Sequence, residues 1–386
     1  MSATLPPVDR AALVATRRDI HQHPELGFEE TRTGTLVAER LRALGYRVRT
    51  GVGRTGVAAA QGSGARCVLL RADMDALPVQ EGGDTPYRSR HAGKMHACGH
   101  DGHVAIGLEV ARRLAGLQLP GAVKFAFQPA EELSNGANAM IADGVLDNPT
   151  VHAALGLHLW NELPVGMIGI AAGPVMASVD EFEIVITGAG GHAAMPHRAI
   201  DPVVAAAHVI TALQTLVSRR RDPFEEGVVS VTQVEAGHAF NVIPERATLR
   251  GTVRTFGGRF WQEAPELLER TTTGVAAALG ATAAVTYRRF TSPLVNDPAM
   301  TALMREVAAD LVGAANIKTD VRTMGGEDMS FFLAKVPGCF AFVGSAPKQG
   351  KASPHHSPTF DIDEESLVIG TELLTRAVLR YLESGA

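Results

Sequence analysis

Apolar positions along the chain fall into two rhythms, one of period 3.6 and one of period two, and these predict the elements. Residues from about 8 to 23 carry apolar points at Leu13, Val14 and Ile20 and read as a helix. That helix must yield near His23-Pro24, because proline disfavours helix in the residue before it. A second helix is expected from about Thr31 to Leu44, with Gly45 as its C-cap. Cys67–Leu70 is a near-continuous apolar run, as a strand buried on both faces should be; Val123–Gln128 reads as another strand, with Val123, Phe125 and Phe127 on one face, and the apolar run Ala153–Trp160 as a third. Val104–Leu114 has a helical pattern, with Asp101 standing where an N-cap belongs. Further on, Pro298–Val312 and Glu364–Leu382 read as helices, Met329–Leu333 as a helix start, and Cys339–Gly344 as a strand.

Between these outer segments the rhythm changes near Ala177. Glu181–Thr187 alternates, with Phe182, Ile184 and Ile186 on one side. A glycine-rich loop spans Gly188–His197, and a long helix is expected from Asp201 to Arg220. Strands follow at Gly227–Val234 and Arg246–Phe256, then a helix at Trp261–Leu279 and a strand at Ala281–Phe290. The order β-α-β-β-α-β is that of a ferredoxin-like split unit. The expected organisation is therefore an α/β domain made of residues 1–176 and 291–386, interrupted by an inserted α+β domain at 177–290. Insertions are tolerated where chain ends lie close together at a surface.

Composition narrows the function classes. The chain has 386 residues, 46% hydrophobic and 20% charged, with a formal net charge of −5. That balance argues against a nucleic-acid surface and against a basic membrane patch. No apolar run is long enough to span a bilayer, and Met1–Pro7 lacks the apolar core of a signal peptide. Three well-separated cysteines, Cys67, Cys98 and Cys339, fit a reduced cytoplasmic setting.

The chemistry concentrates in Lys94–His103, where three histidines, a cysteine and an aspartate fall within ten residues. In an extended segment His96, Cys98 and His100 would share a face. Thiolate and imidazole together suit a borderline-soft divalent metal such as zinc; the alternative is a capped turn with incidental histidines. Asp73 and Asp75 share a face at the carboxyl end of a strand, where ligands gather in open α/β sheets, or they cap a loop. Glu131 and Glu132 follow the Val123–Gln128 strand and can divide labour, one ligating metal and one moving protons; a lone glutamate pair is otherwise surface. His158 is either a core histidine or a metal ligand. His21 and His23 read as structural, because no acidic partner is nearby in sequence. Glu327 and Asp328 can be first-turn acids that favour a helix dipole. The loop Ser353–Pro358 holds His355 and His356. Taken together, Cys98, His100, Glu132, His158 and His356 fall at strand ends or adjoining loops. Five ligands exceed one tetrahedral site, and a shared thiolate or carboxylate would complete two.

The motifs His23–Gly27, Arg71–Pro78, Met95–Asp101, Gln128–Glu132, Gly191–His197, Gly325–Asp328 and His356–Pro358 jointly resemble the M20 metallopeptidases. The resemblance is to the amidohydrolase branch, which contains hippurate hydrolases and plant auxin-conjugate hydrolases, and it runs over nearly the whole chain. It implies a metallopeptidase-type α/β catalytic domain with an inserted ferredoxin-like lid and dimerisation domain. It implies Cys98, His100, Glu132, His158 and His356 as ligands of two divalent ions (Zn²⁺, Mn²⁺, Co²⁺ or Ni²⁺), Glu131 as general base, and Asp75 as the residue that orients a ligand. His356 is chosen over His355 because the family keeps its histidine directly before the small-residue–proline pair. His192 would reach a substrate oxyanion, and Asn241, Arg250 and the Gly325-Gly326 backbone are candidates for holding a substrate carboxylate. The implied reaction is hydrolysis of the amide bond of an N-acyl amino acid, by a homodimer or homotetramer. A dipeptidase or aminopeptidase on the same scaffold is the nearest alternative. Further rivals are a cysteine hydrolase built on Cys98 and a non-catalytic binding protein.

Overall fold

The computed structural model describes residues 5–348 and 352–384; Met1–Thr4, part of the N-terminal stretch read above, lie outside them. In chain order the elements of the first half are α1 (Arg10–Gln22), α2 (Thr31–Ala43), β1 (Arg47–Val52), β2 (Gly56–Gly62), β3 (Cys67–Asp73), α3 (His100–Leu114), β4 (Ala122–Gln128), α4 (Gly136–Ala142) and β5 (Ala153–Pro164). Then come β6 (Ile168–Gly169), β7 (Gly173–Met176), β8 (Val179–Thr187), β9 (Gly191–His192), α5 (Pro202–Thr215), β10 (Gly227–Ala236), β11 (Val242–Ile243), β12 (Arg246–Thr255), α6 (Gly258–Ala278) and β13 (Thr282–Thr291). The chain closes with β14 (Leu294–Asn296), α7 (Pro298–Val312), β15 (Ile317–Lys318), α8 (Ser330–Leu333), β16 (Gly338–Ala346) and α9 (Glu365–Glu383).

These elements group into two units. The first comprises Met1–Val175, Val295–Arg322 and Asp328–Ala386, the second Met176–Leu294 and Thr323–Glu327. The short segment Thr323–Glu327, expected with the outer domain, groups with the inserted one.

In the first unit, eight described strands form one mixed sheet in the order β1-β2-β4-β3-β5-β16-β6-β15. Its middle is parallel: β3 pairs with β4 and β5, and β5 with β16. Every residue of β3 and of β4 is buried, which is why both strands are mostly apolar on their two faces. One core cluster joins Val68, Leu70, Val123, Phe125, Leu155 and Leu157 of the sheet to Ile20, Ile106, Met304 and Leu374 of α1, α3, α7 and α9.

The helix expected to follow an Asp101 cap starts two residues earlier, at His100. Gly99 takes the N-cap position with φ +90°, a backbone that favours glycine. Asp101 is therefore not a cap but a fully buried first-turn residue, whose Oδ2 accepts from Arg17 Nε at 2.7 Å and from His21 Nδ1 at 2.8 Å.

In the second unit the four-stranded sheet has the order β10-β12-β8-β13, all antiparallel. This is the strand order of a split β-α-β unit. Phe182, Ile184 and Ile186 face inward from β8 onto Val209 and Leu213 of α5 and Leu268 of α6. α5 opens on an Asp201 cap, whose Oδ1 accepts from Val203 N at 2.8 Å, with Pro202 at the first position. It stops at Thr215, short of the expected Arg220, and the rest winds into a wider π turn over Leu216–Arg220.

Candidate metal centre

The carboxyl ends of β3, β4 and β5 and the loop before α3 carry the chemistry, as open α/β sheets prescribe. The ligand loop is pinned at its start by reciprocal backbone bonds between Leu77 and Met95, at 3.0 and 3.1 Å. At its other end Gly99 turns the chain, so that Cys98 closes the loop and His100 opens the helix.

Cys98, His100 and His158 each offer a ligand atom within 4.8 Å of one another, and so do Cys98, Glu132 and His356. Cys98 belongs to both groups. His100, Glu131 and Glu132 form a third. The structure thus brings the five expected ligands and the expected base into one cluster of the first unit. Cys98 Sγ stands 3.5 Å from His158 Nε2, and His356 Nε2 stands 3.3 Å from Glu132 Oε1.

Each donor is aimed by a neighbour. His100 Nδ1 donates to the Asp75 carbonyl oxygen at 2.9 Å, and His158 Nδ1 to the Leu159 carbonyl oxygen at 2.8 Å. The neutral His158 ring therefore keeps its Nε2 lone pair, and His100, its Nδ1 committed, presents Nε2 as the atom a metal would take once its proton is displaced. Asp75 Oδ2 accepts the Glu132 backbone N–H at 2.9 Å. The His356 N–H donates to the Ala97 carbonyl oxygen at 2.7 Å, tying the C-terminal loop to the ligand loop. The glutamates ride on a tight turn bracketed by Ala130 (φ +50°) and Ser134 (φ +53°), both left-handed and neither glycine.

The electrostatics are those of a site built for a cation. Burial, reinforced by Glu132, raises the pKa of the Cys98 thiol. Burial opposes charge on His100, but Asp73 and Cys98 outweigh it and push its pKa well up. Burial and then His103 drive His158 well below the usual histidine range, leaving it neutral. His100 Nε2, Glu132 Oε1 and Asp75 Oδ1 are buried and have no hydrogen-bond partner among the described residues. Orphaned acceptors on a thiol, imidazole and carboxylate set fit divalent metal, which satisfies them all at once.

Other expected residues fall elsewhere. His96 is in none of the metal-compatible groups that hold Cys98 and His100. It is buried with both ring nitrogens unpartnered, and burial takes its pKa down to about 3. His355 is packed rather than aimed at the cluster: its ring stacks on Trp160 at 4.6 Å and its Nε2 donates to Leu159 O at 3.0 Å. The choice between the two histidines thus falls to His356 on geometry as well. His21 and His23 are structural as expected, but not for want of acids. His21 meets Asp101 and, at 3.4 Å, Glu81, while His23 Nδ1 stands 3.7 Å from Asp19.

In the second unit, His192 and Asn241 are brought together. His192 pairs with Val242 across β9 and β11, and the Ala193 N–H donates to Asn241 O at 3.1 Å. His192 is exposed, and its Nδ1 accepts from Ala194 N at 3.1 Å. Arg250, expected near a substrate carboxylate, already has acidic company: its Nε donates to Glu183 at 2.7 Å, and a second nitrogen stands 3.4 Å from Glu235. It lies in a sheet-surface ion pair. Arg254, missed in the sequence, lies on the same strand β12. It is half-buried, burial lowers its pKa, and its Nε donates only to Thr252 Oγ1 at 3.2 Å. Gly326 sits against it: a Cβ there would fall 3.5 Å from the Arg254 guanidinium and 2.0 Å from Val179, so only glycine fits. Even spacing from Arg250 along a strand was the available signal, but alternation alone cannot tell a paired arginine from a free one.

A buried thiol–imidazole–carboxylate cluster with an adjoining glutamate, at the strand ends of an α/β sheet, defines a metallohydrolase. The profile of Peptidase family M20/M25/M40 matches residues 69–380, and the chain belongs to that family. The chain is 41% identical over 379 residues to IAA-amino acid hydrolase ILR1-like 4 of Arabidopsis thaliana, covering 96% of this chain and 86% of that protein. It is 40% identical over 381 residues to the N-acetylcysteine deacetylase of Bacillus subtilis, covering 96% and 97%. A solved Bacillus subtilis structure, a dinuclear metal binding peptidase from the M20 family, superposes with a TM-score of 0.85 at 36% identity, over 97% of this chain and 98% of that one. The chain is thus an enzyme, a hydrolase of the family's amidohydrolase branch.

Proposed function

We propose that this enzyme hydrolyses the amide bond of N-acyl amino acids, releasing a carboxylic acid and a free amino acid. The observation that carries the reading is the shared cluster: two three-donor groups joined at Cys98, with Glu131 within 4.8 Å of His100 and Glu132. Cys98, His100, Glu132, His158 and His356 would hold two divalent cations. Bound there, such ions make water more acidic and polarise the scissile carbonyl.

Glu131 accepts the proton of the attacking water and returns it to the leaving amine. His192 offers Nε2–H to the oxyanion, because its Nδ1 is already occupied by the Ala194 N–H. Arg254, beside the Gly326 backbone and with Asn241, is assigned the α-carboxylate in place of Arg250. N-acetyl and bulkier aromatic N-acyl groups are the first to try, since the two relatives named above act on such compounds by name.

The first unit serves as catalytic domain and the inserted unit as lid and dimer surface, in a cytoplasmic homodimer or homotetramer. Exposed Phe240 and Val242 on the inserted unit support an apolar contact there. Among the described residues no helix is long and apolar enough to cross a membrane.

The test is a screen of N-acetyl, N-benzoyl and longer-chain N-acyl amino acids against free dipeptides, on protein stripped with chelator and reloaded with Zn²⁺, Mn²⁺, Co²⁺ or Ni²⁺. Cleavage of N-acyl amino acids only after reloading is expected. Full activity in stripped protein, or a preference for free dipeptides, overturns the reading.

A further inference from the structure

Four histidine rings crowd the metal-facing end of β5, and only two of them, His100 and His158, belong to the five-ligand set. The other two, His103 and His355, meet the same peptide group. The Leu159 N–H donates to His103 Nε2 at 3.0 Å, and the Leu159 carbonyl oxygen accepts from His355 Nε2 at 3.0 Å. That carbonyl also accepts from His158 Nδ1 at 2.8 Å, so both its lone pairs are used.

The reason lies in the sheet. β3 pairs with β5 only from Ala153 to Leu155 and then ends. Ala154 turns its N–H the other way, to Pro337 O on the β16 side, so Leu159, of opposite parity, presents its backbone groups to the side that β3 has left. A buried strand cannot leave such groups unpaired. His103, from the first turn of α3, and His355, from the C-terminal loop, replace the missing strand.

Each of the two is itself anchored. His103 Nδ1 donates to Asp73 Oδ1 at 2.5 Å, and Asp73 is held by Arg71 at 2.8 Å. His355 stacks on Trp160 at 4.6 Å and lies against Phe360 at 5.0 Å. Both rings also stand edge-on to His158, at 4.8 Å and 5.2 Å.

We propose that His103 and His355 are positioning residues that clamp the Leu159 peptide, and that this peptide fixes the tautomer and direction of the His158 ring, leaving Nε2 aimed at Cys98. The inference rests on the metal-centre reading above. It assigns the clamp to one of the two three-donor groups only: Cys98, His100 and His158 depend on it, while Cys98, Glu132 and His356 do not.

That selectivity is what the experiment reads. Co²⁺ is titrated into stripped protein against a chromogenic chelator, and the visible spectrum of the Co²⁺ protein is followed. His355→Phe keeps the ring stack and removes the donor, His355→Gln restores a donor, and His103→Leu removes the acceptor. Loss of such an outer partner commonly weakens metal binding by about 10–100-fold. One Co²⁺ equivalent is expected to weaken by about that factor in His355→Phe and His103→Leu, the other to keep its wild-type affinity, and His355→Gln to recover most of the loss. If His103→Leu does not fold, the half-exposed His355→Phe carries the test alone. Wild-type affinity for both equivalents in His355→Phe overturns the clamp, as does equal weakening of both or no recovery in His355→Gln. Failure of the wild-type protein to take up two equivalents overturns the metal-centre reading itself and the clamp with it.

Discussion

Asp75 Oδ2 accepts the backbone N–H of Glu132 at 2.9 Å, so one carboxylate sets the turn that carries both glutamates of the site. The same residue's carbonyl oxygen receives His100 Nδ1 at 2.9 Å. Asp75 therefore aims two ligands, one through its side chain and one through its backbone. Asp75→Ala leaves the second contact and destroys the first. We expect about a 10–100-fold loss of metal affinity, with Asp75→Asn milder because an amide oxygen still accepts. Metal content after dialysis measures it, and unchanged retention in Asp75→Ala would reject the ligand-aiming role.

Glu131 and Glu132 are neighbours in sequence with different contacts. Glu132 shares groups with Cys98 and His356 and with His100, whereas Glu131 joins His100 and Glu132 without Cys98. Glu131→Gln should keep its metal and lose turnover by about 10²–10⁴-fold, the usual worth of a general base. Glu132→Gln should lose metal. Atomic absorption on the two purified variants separates the roles, and equal metal loss in both contradicts the division.

Much of this site was legible because its parts sit where local pattern is strong. β3, β4 and β5 are largely apolar, and the acidic residues and histidine within them or just past their ends (Asp73, Asp75, Glu131, Glu132, His158) are the ones that matter. What escaped was set by partners distant in sequence. Asp101 has the residue type and position of an N-cap, yet Arg17 and His21, more than 80 residues upstream or nearly so, draw it into the core. His96 has the spacing of a ligand, yet it is buried outside the donor groups that hold Cys98 and His100. Thr323–Glu327 looks like one stretch with the helix that follows it, but long-range contacts place it with the inserted unit.

Asp180 in the inserted unit gives a pH signature independent of metal. It is buried, its Oδ2 accepts from Tyr287 at 2.7 Å, and its Oδ1 has no hydrogen-bond partner among the described residues. Burial raises its pKa above the usual carboxylate value, against the pull of Tyr287 and Arg289. A carboxyl whose folded pKa lies above its unfolded one binds more protons folded than unfolded. Its favourable contribution is then complete below the unfolded pKa, about 3.9, and is lost as pH rises through the folded value. Asp180→Asn removes that dependence. Chemical denaturation from pH 4 to 7 should show the variant gaining on the wild type as pH rises; a difference independent of pH would contradict the shift.

His192 should act late in the reaction. Its Nδ1 is occupied by the Ala194 N–H at 3.1 Å, which leaves Nε2–H pointing outward from an exposed loop. Charge on an oxyanion develops only in the transition state, so His192→Ala should lower kcat by about 10²–10³-fold and change KM little. Metal content should be unaltered. Near-wild-type kcat would remove the inserted unit from the chemistry.

Arg250 and Arg254 offer the sharpest contrast, because they share a strand and differ in company. Arg250 is bonded to Glu183 at 2.7 Å, with Glu235 at 3.4 Å, in a solvent-facing pair. Exposed pairs of this kind add little to stability, and this one already gives the guanidinium carboxylate company. Arg254 has no carboxylate in ion-pair contact among the described residues, is half-buried, and stands beside Gly326, where an added Cβ would fall 3.5 Å from its guanidinium. Hydrogen bonds to a charged group are worth about 1.5–3 kcal/mol, or about 10–100-fold in affinity. A substrate carboxylate is bound alike in the ground and transition states, so its loss should appear in KM and leave kcat nearly unchanged. Arg254→Met should therefore raise KM for an N-acyl amino acid by about 10–100-fold, while Arg250→Met leaves KM near wild type. The matching N-acyl amine, which lacks the carboxylate, should be cleaved equally poorly by wild type and Arg254→Met. A KM effect in Arg250→Met that exceeds the one in Arg254→Met would return the carboxylate to Arg250.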